Sequence, residues 1–174
     1  TAQVFNDVGV LIRSGASFNV VGGANAGARN VISGNLSDGI RIEGEGTDFN
    51  DVLGNFIGTR PDGLGELPNE GDGVEVLEGP NGTDIGGVSD GAGNVISGNL
   101  GDGISIEGSG VEVIGNIIGL ANGGTAPLPN RLNGVRISGS NNAIGGMSTG
   151  RRNVISGNGE NGVYITGVVA GGSG

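Results

Sequence analysis

The chain of 174 residues has no cysteine, histidine, tryptophan or lysine, and aromatic residues make up only 3% of it. Without cysteine there is no disulfide. Stacked strands need no such staple, so its absence says nothing about compartment. Arginine supplies all eight positive charges, against 18 acidic residues and a net charge of −10. That balance excludes nucleic acid and anionic membrane surfaces as partners, while leaving divalent cations open. No apolar run approaches the roughly 18 residues of a membrane span. Of the few aromatics, Phe18, Phe49 and Phe56 fall in or beside core strands, which leaves little for a sugar-stacking platform. Thr47, Thr59, Thr83, Thr125, Thr149 and Thr166 occupy different registers, which excludes a flat ice-binding array.

What the chain has in abundance is glycine, 42 residues, and a repeat. That much glycine by itself reads as low complexity. Its fixed register argues for ordered strand ends and bends instead. The hexapeptide Asn-Val-Ile-Ser-Gly-Asn occurs at Asn30, Asn94 and Asn153, and Gly-apolar-x-apolar openings start at Gly9, Gly39, Gly73, Gly103, Gly134 and Gly162. These steps of about 30 residues each contain three short apolar runs, a coil that recurs in the same order and therefore stacks in parallel.

Within the first run of each coil, Val10 and Ile12, Ile40 and Ile42, Val74 and Val76, and Ile104 and Ile106 alternate onto one inward face. The outward columns then read Leu11, Arg41, Glu75, Ser105, Arg136, Tyr164 and Arg13, Glu43, Leu77, Glu107, Ser138, Thr166. The third run begins with Asn30, Asn55, Asn94, Asn116 and Asn153. Stacked about 4.8 Å apart, these amides form an asparagine ladder, and Asn also tolerates the left-handed backbone of a sharp bend. Odd coils carry a loop before the third run. Even coils carry a longer one after it, over residues 59–72 and 120–133, and these two are expected on one side of the stack.

The strings GAGNVISGNLGDGISIEGSG, GNFIGTRPDGLGELPNEGDGV and NNAIGG resemble the right-handed parallel β-helix repeats of the pectate-lyase-like superfamily, as found in large bacterial surface and secreted proteins. The resemblance implies an all-β, right-handed single-stranded parallel β-helix of five to six coils. The resemblance runs from about Gly9 to Gly167; residues 1–167 are expected to form one domain, with 168–174 as a tail or linker and no evident caps. It also implies a secreted or cell-surface location.

Where enzymes of this family act on polysaccharide, they use a groove along the first strands. On that face Arg41, Glu43, Glu75, Glu107 and Arg136 are the catalytic candidates of a polysaccharide lyase or glycoside hydrolase, in which a base abstracts a proton and cations neutralise a uronate. The same face reads better as cross-strand ion pairs, Arg13 beside Glu43 and Arg41 beside Glu75. Asp62, Glu66, Glu70 and Asp72 crowd one flexible loop and are the candidates for a Ca²⁺ site. With no convergent catalytic cluster, the expected function is a structural, surface-display or adhesive module. Its open ends are then covered by flanking β-helix coils or by self-association, since a solenoid end exposes unpaired backbone.

Overall fold

A computed structural model describes residues 5–167; the expected tail at 168–174 lies outside them. The chain is a parallel β-solenoid of about five turns with about 31 residues per turn. The first sheet stacks β1 (Val10–Arg13), β4 (Ile40–Glu43), β7 (Val74–Val76), β10 (Ile104–Ile106), β13 (Val135–Ile137) and β16 (Val163–Ile165) in that order. The second stacks β2 (Val20–Gly22), β5 (Asp51–Leu53), β8 (Asp84–Ile85), β11 (Glu112–Val113) and β14 (Ala143–Ile144). The third stacks β3 (Val31–Ile32), β6 (Phe56–Ile57), β9 (Val95–Ile96), β12 (Ile117–Ile118) and β15 (Val154–Ile155). The described helical structure is limited to single 3-10 turns at Ala26–Ala28 and Thr149–Arg151.

Pairing in the first sheet follows the spacing of the glycine openings. Leu11 faces Arg41, Arg41 faces Glu75, Glu75 faces Ser105, and Arg136 lies between Ser105 and Tyr164. The inward residues of all three sheets form one core, in which Ile40, Ile42, Val74, Val76, Ile104 and Ile106 are fully buried. β-Branched side chains suit this pleated interior, and each contributes roughly 1.5–3 kcal/mol. Burial fades towards the ends, where among the described residues β1 and β16 each pair on one side only and Ile165 is 69% exposed.

The third sheet also has an apolar outward column, Val31, Phe56, Val95, Ile117 and Val154. The two long loops fold back over its middle, where Phe56 and Val95 are buried. Each loop is pinched by one antiparallel bridge, Thr59 with Glu66 and Leu120 with Pro127. They meet directly, the Asn122 N–H donating to the Gly63 carbonyl at 2.8 Å, on one side of the stack as expected. A Cβ at Gly63 would lie only 2.8 Å from the Phe56 ring.

Odd and even coils are also joined at the start of the long loops. The serines of the first two Asn-Val-Ile-Ser strings donate to the carbonyl that opens the next coil's long loop, Ser33 to Thr59 at 2.9 Å and Ser97 to Leu120 at 2.8 Å. Left-handed backbone falls elsewhere than expected. Among the described residues the non-glycine positions with positive φ are Ser14, Phe18, Phe49 and Asn141, and none of the five asparagines that open the third strands is among them.

Candidate functional site

The outward face of the first sheet places the catalytic candidates in adjacent coils and ties them up in separate ion pairs, Arg41 with Glu75, Arg136 with Glu107 and Glu43 with Arg13. The Arg41 Nε lies 2.7 Å from Glu75 Oε2, and its Nη2 bonds the Asp38 carboxylate and donates to the Ser37 hydroxyl at 3.0 Å. Arg13 and Glu43 approach to 3.9 Å, and Arg136 reaches Glu107 at 3.7 Å and the Ser105 hydroxyl at 3.3 Å. Burial would lower the Arg41 pKa, but the Asp38 and Glu75 carboxylates offset that and leave it raised. A guanidinium so held is a fixed cation with its charge neutralised, not a proton acceptor. Burial first, and then the Asp38 charge, push the Glu75 pKa up against the opposing pull of Arg41.

The calcium candidates are not brought together. Asp62 serves its own turn, accepting from the Leu64 N–H at 2.9 Å, while Glu66 and Glu70 are exposed. Asp72 turns away into a column with Asp38 and Asp102. Among the described residues no group of three or more acidic, histidine or cysteine side chains is arranged to hold a metal ion.

The asparagine ladder forms along the third strands, Nδ2 donating to the next Oδ1 from Asn30 through Asn55, Asn94 and Asn116 to Asn153, at 2.9–3.3 Å. A second ladder runs through Asn6, Asn35, Asn69, Asn99, Asn130 and Asn158, at 2.7–3.1 Å. Its signal in the sequence is an asparagine four residues before each strand glycine from Gly39 onwards. A third row, at the corner before the second strands, is interrupted. Asn19 donates to Asn50 at 2.9 Å, but next comes Thr83, fully buried, whose hydroxyl has no partner.

Two features escape a reading by residue type. Phe18 and Phe49, expected in or beside the core, are 76% and 50% exposed and stack on each other at 5.2 Å between ring centroids. Both sit in left-handed backbone, φ 58° and 55°, which swings the side chain out at the corner. Phe56 is buried, with the Arg29 guanidinium 4.1 Å above its ring. On the second sheet, Asp51, Asp84 and Glu112 share one outward column, and Arg151 pairs with Glu112 at 2.6 Å. Burial raises the pKa of Asp51; it raises that of Asp84 too, helped by the charges of Asp51 and Glu112.

Comparison with protein-family models, with curated proteins and with solved structures finds no match to this chain.

Proposed function

We propose that this chain is a non-catalytic structural segment, a rod for surface display or adhesion within a larger extracellular bacterial protein, whose ends pair with further coils or with copies of itself. The observation that carries this reading is the state of the first-sheet arginines. Arg13, Arg41 and Arg136 each lie against a carboxylate of a neighbouring coil, so the face that would have to clamp a uronate is occupied by its own ion pairs. Among the described residues the outer edges of β1 and β16 have no strand partner, which supports the pairing of ends, because exposed strand edges take up further strands. The extracellular and bacterial parts of the reading rest on the resemblance of the repeat strings to pectate-lyase-like β-helices.

A carbohydrate-active module is the second reading, and one observation favours it. The exposed Phe18 and Phe49 pair offers the aromatic surface that the composition otherwise lacks. Incubation with neutral and uronate polysaccharides, with and without Ca²⁺, separates the two when unsaturated products and new reducing ends are followed. The structural reading expects no product from any substrate. Cleavage that disappears in Arg41→Ala or Arg136→Ala would replace it with the enzymatic one.

A further inference from the structure

We infer that the column Asp38, Asp72 and Asp102 is a proton-dependent clasp between coils: with a proton in the column β4, β7 and β10 are drawn together, and with that proton gone the carboxylates repel. Each of the three acids sits immediately before a strand glycine, on consecutive coils. The Asp38 Oδ1 accepts the Asp72 N–H at 2.8 Å, the Asp72 Oδ1 accepts the Asp102 N–H at 2.6 Å, and the Asp102 Oδ1 accepts the Asn133 N–H at 2.7 Å. Gly71 and Gly101 are required beside them, since a Cβ at either would press into the carboxylate of the coil before.

The same column continues as Asn133 and Asn161, which show what the position demands. Asn133 Nδ2 donates to Asp102 Oδ1 and Asn161 Nδ2 to Asn133 Oδ1, both at 2.8 Å. An amide at this site therefore reaches the side chain one coil earlier with a hydrogen. A carboxylate in the same place has none to give unless it is protonated, and like charges one coil apart oppose each other. Arg41 is the cation bonded to this group. It is held by Asp38 and Glu75 and makes no bond to Asp72 or Asp102. The groups that face Asp72 are thus Asp102, Asp38 and Glu75, all acidic. Burial is the largest cause that pushes Asp72 up to about 7, opposed by the Asp102 N–H and reinforced by those three charges.

Folded Asp72 holds its proton more tightly than Asp72 of the unfolded chain. Ionisation of the unfolded chain begins near the ordinary carboxyl value, so stability falls as pH rises from about 4 to about 7 and is level above that. The test combines thermal melts from about pH 5 to pH 8 with a carbon-13 titration of side-chain carboxyls. The expected result is a melting temperature that drops on the order of 5 °C across that range, and one aspartate carboxyl that titrates near 7. Asp72→Asn should remove both the titration and most of the slope, since it supplies an amide like that of Asn133. Asn133→Asp should steepen the slope by lengthening the acidic column. Carboxyls that all titrate below about pH 5, or an Asp72→Asn protein with the full wild-type slope, would overturn the clasp. If that variant fails to fold, the titration of the wild-type chain decides alone.

Discussion

Asn94 is joined to Asn116 twice, its backbone N–H and its side-chain Nδ2 both donating to the same Oδ1 at 3.0 and 2.9 Å. The Asn94 Oδ1 in turn accepts from the backbone and side chain of Asn55, and its Nδ2 also reaches the Val52 carbonyl at 2.8 Å. At 1% exposure no water can replace these bonds. Asn94→Ala should therefore destabilise the rod by about 3 kcal/mol, because it strands buried donors and acceptors in two neighbouring coils. Asn30→Ala, at the exposed end of the same ladder, should cost under about 1 kcal/mol. Paired denaturant or thermal unfolding curves measure both, and equal effects would count against burial as the source.

The interrupted third row makes the opposite prediction. Thr83 buries a hydroxyl without a partner, and the residue below it in the column is Val111, fully buried. Thr83→Val keeps the shape and removes the unpaired polar group, so it should stabilise the protein by about 1 kcal/mol. A lower unfolding midpoint would mean that the hydroxyl is satisfied in solution.

Two arginines on the same face should differ sharply. Arg41 neutralises the buried Asp38, so Arg41→Ala leaves an uncompensated charge and should cost about 2 kcal/mol at neutral pH. Arg13 meets Glu43 at 3.9 Å in solvent, and Arg13→Ala should change stability by less than about 0.5 kcal/mol. Unfolding of the two variants in parallel checks the contrast.

Asp84 gives a pH dependence of known sign on the second sheet. Its folded pKa is raised, by burial first and then by Asp51 and Glu112, so its ionised form costs stability above the unfolded value. Asp84→Asn should raise the melting temperature at neutral pH, and the gain should vanish as pH falls below about 4. A gain that persists unchanged in acid would point to packing instead of charge.

Much of this architecture is legible in the sequence because the coil length varies only at loops. Counting from Gly39, Gly73 and Gly103 gives strand partners residue for residue, and the first ladder is visible because its asparagines open each third strand. The second ladder follows loops of unequal length, so its register appears only when counted backwards from the following glycine. Asp72 reads as a loop acid beside Glu70, yet its place next to Gly73 turns it towards Asp38 and Asp102. Phe18 and Phe49 are misplaced by residue type, since aromatic propensity points inward while the left-handed corner points outward. On the first-sheet face the residues are legible but their roles are not: spacing predicts that Arg41 meets Glu75, while the second bond, to Asp38, depends on a side-chain rotamer.

The ladders are the centre of this account, and side-chain amide hydrogen exchange tests them most directly. The Nδ2 protons of Asn94, Asn99 and Asn116 are buried and bonded along the stack, whereas Asn122 is exposed at a loop tip. The account predicts that those three amides exchange slowly, together with the backbone of their coils, while Asn122 exchanges at the rate of a free amide. Exchange of all four at the free rate would contradict a rod held together by asparagine.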